Sequence, residues 1–370
     1  MKSLYEQVYE SLKKEILSEK YKVGDQVPSE NELSETFQVS RITSKKALEK
    51  LMKEGYVYRQ RGRGTFVAEW QVANQVRNVE SKKPIIGLIM TTFDDSFGST
   101  LVASLEEASD NKCFLILKRS LGIPEREEKI IQELLDFGVS GLIVCPAQAQ
   151  HYTSEILKMV VNQFPLVLID RAFKGVAAAA VSTDNVEAAI KGINYLIDHG
   201  HEHIGVLMSN NYVTTTLEDR LLGIVNAFSE NQLVVNRELW FSDIKSTSPI
   251  PEAPKKEDIE KVKEYIQKNP KITALFALEY QIASLAKVAV EELGLTVPND
   301  ISIICFDSPP INDQGWSFTH LKQDEAEIGR LALERLMDMY HGKFNTDSQL
   351  VPATLIEGST TRTIRAKSFL

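Results

Sequence analysis

The segment from Pro28 to Val67 constrains the fold of this chain more than any other part of its sequence. Ser29 and Glu32 have the spacing of a capping box, which predicts a helix from Ser29 to about Phe37. A short turn, a second helix and a glycine-rich basic hairpin follow in that order. The segment is therefore predicted to form a helix-turn-helix with a hairpin wing.

The second helix of this segment carries basic residues at its start and apolar residues on one side. Ser40 is its expected N-cap, and the helix should run to Glu54 and end at Gly55. The strands of the wing are expected at residues 56–59 and 65–68. The residues expected to face the core are Ala47, Leu48 and Leu51. An amphipathic helix before the segment is predicted from the spacing of Leu4, Val8, Leu12 and Ile16.

Charge is distributed unevenly along the chain. The whole sequence carries a net charge of −9, but residues 39–66 contain eight Lys and Arg against two Asp and Glu, a local net charge of +6. A local basic patch governs DNA affinity, because charges beyond a Debye length of about 10 Å are screened. Residues near the start of a recognition helix reach base edges. The segment is therefore predicted to bind DNA.

The same segment resembles the winged helix-turn-helix of the GntR family. The matching motifs are PSENEL (28–33), VSRIT (39–43), ALEKL (47–51), Glu54-Gly55 and GRGTFV (62–67). The resemblance implies that the second helix and the wing contact DNA. The candidate residues are Ser29, Asn31, Ser40, Arg41, Thr43, Ser44, Lys45, Lys46, Arg61, Gly62, Arg63 and Gly64. The family often has Arg at the position of Asn31 and Val-Arg at that of Ser44-Lys45. Lys lacks the planar fork with which Arg contacts guanine, so a base contact at Lys45 is less constrained. The operator sequence therefore cannot be inferred from those of relatives.

From residue 85 onward, apolar strand-like runs alternate with helical stretches. The runs are IIGLIM, CFLILK, GLIVCP, PLVLID, HIGVLM, ALFAL and ISIICF. Such alternation predicts a doubly wound α/β sheet, in which ligands bind beyond the carboxyl ends of the strands. Acids, an Arg and aromatic residues stand at those ends, a combination that suits a polyhydroxylated ligand. The expected domains are a DNA-binding domain at 1–68, a linker at 69–84 and an effector domain at 85–370.

Residues from about 84 to 357 resemble the effector domain of the LacI/GalR family, which is similar to periplasmic sugar-binding proteins. The matching motifs are PLVLIDR (165–171), TDN (183–185), HGHEHIG (199–205), EDRLLG (218–223), VPNDIS (297–302) with Phe306-Asp307, and THLKQD (319–324). The resemblance implies two α/β lobes joined by three crossovers, with ligand in the cleft between them. The candidate effector-binding residues are Phe97, Asp170, Arg171, Arg220, Glu279, Tyr280 and Asp307. The chain is thus expected to be α/β, with an N-terminal winged helix-turn-helix and a two-lobed doubly wound sugar-binding domain, resembling the arabinose-repressor subgroup of GntR regulators.

The candidate cleft residues favour a neutral sugar over a sugar phosphate. The carboxylates of Asp170, Glu279 and Asp307 would repel an anion, and mainly Arg171 and Arg220 oppose that repulsion. The LacI/GalR family usually has Asn at the position of Glu279, so a different set of ligand hydroxyls should be satisfied here. A pentose or deoxyhexose is the expected effector. A sugar phosphate is the alternative, in which the two arginines dominate.

Several other classes of protein and site are disfavoured. No apolar run approaches the roughly 20 residues that span a bilayer, and the acidic N-terminal helix is not a secretion signal. The separated cysteines (113, 145 and 305) in apolar runs are typical of reduced thiols in the cytoplasm. The three histidines at 199, 201 and 203 are better explained by a helix end and a strand entry than by a metal site. No cofactor or metal is expected.

Together these features predict a sugar-responsive transcriptional repressor. It should bind double-stranded operator DNA as a homodimer, without a membrane partner. Sugar binding would alter the spacing of the two DNA readers and so weaken operator binding. A solute-binding protein of a transport system is the second hypothesis, disfavoured by the wing and the missing signal peptide. An enzyme is the third, disfavoured because no nucleophile or general base stands out. Whether sugar induces or corepresses stays open.

Overall fold

The computed structural model describes residues 4–18, 20–53, 56–60, 63–68, 83–94, 96–147, 154–173, 175–209, 214–309 and 316–364. The chain divides into two compact units, residues 1–83 and 84–370. Most of the expected linker, 69–84, lies outside the described residues.

The smaller unit contains helices and a hairpin in the order that the sequence predicts. The helices are α1 (Leu4–Leu17), α2 (Glu30–Phe37) and α3 (Arg41–Lys53), and the strands β1 (Val57–Gln60) and β2 (Gly64–Val67) pair antiparallel. The predicted capping box is confirmed, because Ser29 Oγ accepts the Glu32 backbone N–H and the Glu32 carboxylate accepts that of Ser29. The bounds of α2, α3 and both strands agree with prediction to within a residue or so. Gly55, the predicted end of α3, lies outside the described residues.

The core of this unit is formed where α1 and α3 pack together. Apolar side chains spaced by a helical turn meet there, and the strands of the hairpin close the core. The buried residues include Val8, Leu12, Ile16, Leu33, Ala47, Leu48, Leu51, Tyr56, Val57 and Val67. Leu4 is the exception to the predicted stripe, since it is 58% exposed at the first residue of α1. The packing fixes which face of α3 points outward.

The larger unit alternates strands with helices along most of its length. Its elements begin with β3 (Ile85–Met90), α4 (Ser99–Ser109), β4 (Phe114–Arg119), α5 (Pro124–Phe137), β5 (Gly141–Val144), α6 (Ser154–Val161), β6 (Leu166–Ile169) and β7 (Ala179–Thr183). They continue with α7 (Asn185–Asp198), β8 (Ile204–Ser209), α8 (Thr215–Glu230), a 3₁₀ turn (Arg237–Leu239), β9 (Trp240–Ile244), α9 (Lys255–Lys268), β10 (Ala274–Ala277), α10 (Tyr280–Glu292), β11 (Ser302–Phe306) and β12 (Thr319–Lys322). They end with α11 (Glu325–Tyr340), β13 (Ser348–Val351) and β14 (Thr354–Ile356).

These strands form two separate sheets, each the centre of one lobe. The first sheet has the order β13-β7-β6-β5-β3-β4, and the second has the order β14-β12-β11-β10-β8-β9. The described pairings are parallel except for that of β12 with β14. Central strands such as β5, β6 and β10 are buried along their whole length, as expected for parallel strands covered by helices on both faces.

The chain passes between the two lobes at three places. It leaves the first sheet after β7 and enters α7, which packs on the second sheet. It returns between β12 and α11, which packs on the first sheet, and crosses again between β13 and β14. The predicted two-lobed fold with three crossovers is therefore confirmed. The carboxyl ends of strands from both sheets meet at the cleft between the lobes.

The predicted strands are all present, but five further strands were not predicted. These are β7, β9, β12, β13 and β14. The residues of β9 and β13 mix polar and apolar side chains at sheet edges, so they form no continuous apolar run. β14 has three residues and lies at a sheet edge, β12 (THLK) contains a single apolar residue, and β7 begins within an alanine-rich stretch. Edge position and the lack of a continuous apolar run thus explain most of the missed strands.

Candidate functional site

The start of α3 places a guanidinium on the outer surface of the smaller unit. The side chain of Arg41 is 70% exposed, and its Nε lies 3.3 Å from Glu30 Oε2. Arg59 of β1 holds the other carboxylate oxygen of Glu30 at 2.5 Å. The hydrogen bond from Arg59, followed by that from Arg41, holds the pKa of Glu30 below its usual value. One carboxylate therefore orients two guanidinium groups, from the recognition helix and from the wing.

Most of the other candidate DNA-contacting residues surround Arg41 on the surface. Ser40 caps α3, because its Oγ accepts the backbone N–H of Thr43 at 3.2 Å and lies 2.8 Å from the Thr43 hydroxyl. Lys45 lies 3.8 Å from Glu49, one turn along the helix. The remaining exposed candidates on these helices are Ser29, Asn31 and Lys46. The first turns of α3 thus present polar and basic groups together.

Ser44 does not belong to this exposed set, and the expectation that its side chain contacts DNA is wrong. Ser44 is fully buried, and its hydroxyl has no hydrogen-bond partner among the described residues. The reason is its place on the helix, one turn before Leu48 and about two turns before Leu51, both of which face the core. Ser44 therefore belongs to the buried face of α3.

The described part of the wing agrees with its predicted role as an exposed turn. Arg63 is exposed, and Gly64 has a φ of +123°, a conformation that side chains rarely adopt. A Cβ at Gly64 would clash with the side chain of Gln26, whose amide donates to the Arg63 carbonyl at 3.2 Å. Arg61 and Gly62, the other wing candidates, lie outside the described residues.

The cleft between the lobes of the larger unit contains a cavity of about 200 Å³. All the predicted effector-binding residues line this cavity: Phe97, Asp170, Arg171, Arg220, Glu279, Tyr280 and Asp307. Its volume lies below the roughly 300–1,000 Å³ of pockets for drug-sized ligands, so it suits a smaller molecule. The rule that ligands bind at the carboxyl ends of parallel strands therefore located this cavity correctly.

Asp170 and Asp307 occupy corresponding places in the two lobes. Each follows the last residue of a central strand, β6 or β11, and each has a positive φ, 64° and 56°. Asp tolerates this left-handed conformation better than most residues. The sharp turn after each strand places a carboxylate at the wall of the cavity.

Arg220 is a buried cation at the wall of the cavity. It is 6% exposed, and its Nε donates to Asn185 Oδ1 at 2.8 Å while Nη1 donates to the Leu278 carbonyl at 2.5 Å. Its guanidinium lies 3.6 Å from the ring centre of Phe306. Burial lowers the pKa of Arg220, and the carboxylate of Asp307 opposes that effect. These contacts hold one positive charge at a defined position.

Asp307 is tied to the crossovers through Gln323. The Gln323 side-chain amide donates to Asp307 Oδ2 at 2.7 Å, and the Gln323 oxygen accepts from the Thr183 hydroxyl at 2.6 Å. Burial raises the pKa of Asp307 to about 7, against the opposing charge of Arg220 and the hydrogen bonds from Gln323. Gln323 belongs to the THLKQD motif but is not among the predicted effector-binding residues.

The guanidinium of Arg171 contacts backbone carbonyls and a neighbouring carboxylate. Its Nη1 donates to the carbonyls of Pro146 and Ala147 at 2.9 and 3.1 Å, and its Nε lies 3.4 Å from Asp170 Oδ2. Its Nε is buried and has no hydrogen-bond partner among the described residues, although it lies beside Asp170. Arg171 therefore contributes positive potential to the cavity and keeps donors that these partners do not use.

Glu279 differs from the other charged residues of the cavity because its carboxylate accepts no hydrogen bond from the described residues. It stands immediately before α10 without capping that helix through its side chain. Its exposed surface faces the cavity, where surrounding protein atoms desolvate it. This desolvation raises the pKa of Glu279, against the opposing charges of Arg220 and Arg171. Glu279 therefore has unused acceptor capacity directed at a ligand.

Several hydroxyl groups line the cavity that are not among the predicted effector-binding residues. Thr247 and Ser248 line it from the loop after β9, and their hydroxyls have no partner among the described residues. Ser209, at the end of β8, has the same property and fell within a strand end that the sequence indicated. The sequence signal for Thr247 and Ser248 is the polar run Ser-Thr-Ser that comes shortly after WFSDI. Because β9 was not predicted as a strand, this run was not placed at a strand end.

Hydrogen bonds between described residues of the two lobes lie around the cavity. The Gln281 side-chain amide of α10 donates to Asp94 Oδ2 at 2.9 Å, and the Thr216 hydroxyl donates to the Asp170 carbonyl at 3.1 Å. The other oxygen of Asp94 accepts the Ser96 backbone N–H at 2.8 Å. Although burial acts to raise the pKa of Asp94, hydrogen bonds from Ser96, Phe97 and Gln281 lower it overall.

The three neighbouring histidines form separate contacts. The ring nitrogens of the buried His201 lie 3.0 Å from the Thr273 hydroxyl and 3.1 Å from the Arg362 carbonyl, while the ring of His199 lies against that of Tyr195 at an angle of 36°. His203 is exposed. Across the described ranges, no group of three His, Cys, Asp or Glu residues is arranged to hold a metal ion. Within the same ranges, no helix combines the length and apolarity that a bilayer crossing requires.

Two family models match parts of the chain. The family "Bacterial regulatory proteins, gntR family" matches residues 4–67, and the "Periplasmic binding protein-like domain" family matches residues 193–361. An arabinose metabolism transcriptional repressor of Geobacillus stearothermophilus is 29% identical over 345 residues, which cover 90% of each chain. This relative supports the prediction of a regulator and not an enzyme.

Solved structures share the fold of the chain. The transcription regulator CcpA of Lactococcus lactis has a TM-score of 0.65 and 20% identity, over 76% of this chain and 100% of that one. A LacI family transcriptional regulator from Enterococcus faecium, solved with bound ribose, has a TM-score of 0.63 and 18% identity, over the same shares. At these identities the likeness concerns the fold alone.

Proposed function

We propose that this chain, which belongs to the GntR-type regulators that carry a periplasmic-binding-protein-like effector domain, is a repressor that leaves its operator when a neutral sugar fills the cleft. The observation that carries the proposal is the cavity between the lobes, where strand-end carboxylates and an anchored Arg220 converge in a chain that also contains a winged helix-turn-helix. A sensor and a DNA reader in one chain are the parts that such a switch requires.

The charges of the cavity support a neutral polyhydroxylated ligand. Four carboxylates line it, those of Asp94, Asp170, Glu279 and Asp307, against the guanidinium groups of two arginines. A phosphate group would be repelled by those carboxylates that are ionised; Asp307, whose pKa is about 7, is about half ionised at neutral pH. Sugar hydroxyls can donate to the carboxylates and accept from the unpartnered hydroxyls of the cavity. The relative named for arabinose metabolism makes arabinose the first sugar to test, followed by other pentoses and deoxyhexoses.

The cleft provides a route from sugar to DNA. A ligand that contacts both lobes stabilises the conformation in which they are closed around it, by its difference in affinity for the two conformations. The contact between Asp307 and Gln323, and that between Gln323 and Thr183, tie the cavity to two of the crossovers. We propose that a homodimer in the cytoplasm converts this change into altered spacing of its two winged helices, which then fit two half-sites less well.

The experiment is a binding assay on the full-length chain with a duplex selected by this chain from a random pool. A thermal-shift screen against arabinose, other pentoses, hexoses, deoxyhexoses and their phosphates identifies the ligand first, because a ligand at a hundredfold excess over Kd stabilises by about 2.7 kcal/mol. The expected result is that a neutral sugar stabilises the chain and releases the duplex. Stabilisation by sugar phosphates alone would contradict the charge argument, and tighter duplex binding with sugar would indicate corepression.

A further inference from the structure

Two lysines on α3 have aromatic partners where the neighbouring cations have carboxylate partners. Lys50 Nζ lies 4.2 Å from the ring centre of Tyr9 and 6.0 Å from that of Tyr5, and Lys46 Nζ lies 5.8 Å from the ring centre of Tyr5. Both tyrosines belong to α1. In the described part of the chain, neither lysine has a carboxylate within 4.0 Å, whereas Arg41 pairs with Glu30.

This difference decides how much of each charge is available to a partner. A carboxylate neutralises the ammonium group that it contacts, while a tyrosine ring attracts the cation through its quadrupole and leaves the net charge in place. The rings also restrict the long lysine side chains, so that less conformational entropy is lost when a partner binds. Lys46 and Lys50 therefore lie at restricted positions, and no carboxylate of a described residue compensates their charges.

The position of the two lysines points to an anionic polymer as the partner. They lie one turn apart on α3, about 6 Å along the axis at a rise of about 1.5 Å per residue. Ile42, one turn before Lys46, is 76% exposed. The row of residues 42, 46 and 50 therefore begins at the exposed first turn of the recognition helix. A DNA strand carries one phosphate charge per about 3.4 Å of helix axis, so neighbouring phosphates fall within reach of both ammonium groups.

We propose that Lys46 and Lys50, held over Tyr5 and Tyr9, form a phosphate-binding surface that extends the operator contact from the first turn of α3 toward α1. This inference rests on the proposed function, because it takes the operator duplex as the partner. The surface adds affinity without reading sequence, since phosphates are the same at every base pair. The roles are distinct: the lysines contact DNA, and the tyrosines position the lysines.

The test measures the dependence of duplex affinity on salt with the full-length chain. Each lost phosphate contact lowers the slope of log K against log salt concentration by about 0.9. Lys46→Gln and Lys50→Gln are each expected to lower the slope by about that amount, and the double variant by about twice as much. The loss of affinity should be equal for the selected duplex and for an unrelated one, because the contact is not sequence-specific.

Lys20→Gln is the matched control. Lys20 is an exposed lysine of the same unit and lies 5.8 Å from the ring centre of Tyr21, but it is also paired with Glu15 at 2.6 Å. Its charge is therefore already compensated, and the slope should stay at the wild-type value. A lowered slope in this control would show that any lysine of the unit affects binding, which would contradict the proposed surface.

The positioning role of Tyr5 has its own pair of variants. Tyr5→Phe keeps the ring face and is expected to bind with wild-type affinity and slope, whereas Tyr5→Leu removes the ring and should weaken binding to both duplexes. Thermal unfolding of each variant confirms that it is folded. Equal binding by Tyr5→Leu and wild type would refute the role of the ring.

Failure of this inference can be separated from failure of the proposed function. If the wild-type chain discriminates its selected duplex but the double lysine variant keeps the wild-type slope, the phosphate surface is wrong and the repressor stands. If the loss is confined to the selected duplex, the lysines contact bases and the proposal is also wrong. If the wild-type chain discriminates no duplex, the proposed function itself fails.

Discussion

Replacing Glu279 with Gln should weaken sugar binding without destabilising the sugar-free protein. The substitution keeps the size of the side chain and removes its negative charge. Glu279 faces the cavity and accepts no hydrogen bond from the described residues, so the change breaks no contact seen within the protein. Its raised pKa means that the ionised form costs free energy in the folded state near neutral pH. An uncharged amide removes that cost.

The expected loss of sugar affinity follows from the hydrogen bond that the carboxylate would accept. A hydrogen bond to a charged group contributes about 1.5–3 kcal/mol. Since each 1.4 kcal/mol changes Kd about tenfold, Glu279→Gln should weaken sugar binding by roughly tenfold to a hundredfold. Isothermal calorimetry measures the affinity, and thermal unfolding without sugar should show an unchanged or raised melting temperature.

Glu291→Gln is the matched control for this variant. Glu291 lies near the other end of α10 and pairs with Lys287, away from the cavity. Its sugar affinity should equal that of the wild type. The reasoning would be refuted if Glu279→Gln bound sugar as tightly as the wild type, or if it lowered the melting temperature of the sugar-free protein. The first result would mean that Glu279 does not contact sugar, and the second that it has a structural partner.

Four further outcomes follow from the same contacts. Arg41→Ala should abolish discrimination between the selected and an unrelated duplex, measured by anisotropy, while sugar affinity, measured by calorimetry, stays at the wild-type value. Loss of both duplex discrimination and sugar affinity would contradict the separation of roles. Arg220→Ala should do the reverse, because it removes a buried guanidinium from the wall of the cavity and leaves the winged helix unchanged; release of this variant by sugar would count against its role. Sugar hydroxyls should favour the ionised form of Asp307, whose pKa is about 7, so sugar affinity should fall up to about tenfold per pH unit below pH 7. Protons should then be released when sugar binds, which calorimetry in buffers of different ionisation enthalpy measures. Proton uptake on binding would refute this role of Asp307. Gln281→Leu removes the hydrogen bond to Asp94 that joins the lobes, so sugar should dissociate several-fold faster in stopped flow; an unchanged dissociation rate would show that this contact does not hold the cleft closed.

The parts of the structure that were predictable are those governed by local signals or by a general rule of parallel sheets. The capping box at Ser29 is contained in four consecutive residues, and the structure confirms it. Asp170, Arg220, Glu279 and Asp307 were brought together by the rule of strand ends and by resemblance, although they are far apart in sequence. Neither step needed side-chain positions.

The parts that were missed depend on tertiary packing. Ser44 has the polarity of a surface residue, but the rotation of α3 against α1 places it in the core. Thr247 and Ser248 were missed because β9 is an edge strand whose mixed residues resemble a loop. The unused acceptor capacity of Glu279 is also invisible in sequence, since it depends on which donors the fold leaves within reach. Local sequence patterns thus predict secondary-structure elements and the ends of strands. The burial and hydrogen-bond partners of individual side chains are known only from the folded structure.

The most direct test of the central claim is whether sugar and operator oppose each other through the one chain. Sugar affinity is measured by calorimetry on the full-length protein, first alone and then saturated with its selected duplex. Linkage requires that the duplex weaken sugar binding by the same factor by which sugar weakens duplex binding. We predict equal factors, both greater than one. An identical sugar affinity with and without duplex would contradict the account, because the cleft and the winged helix would then function independently.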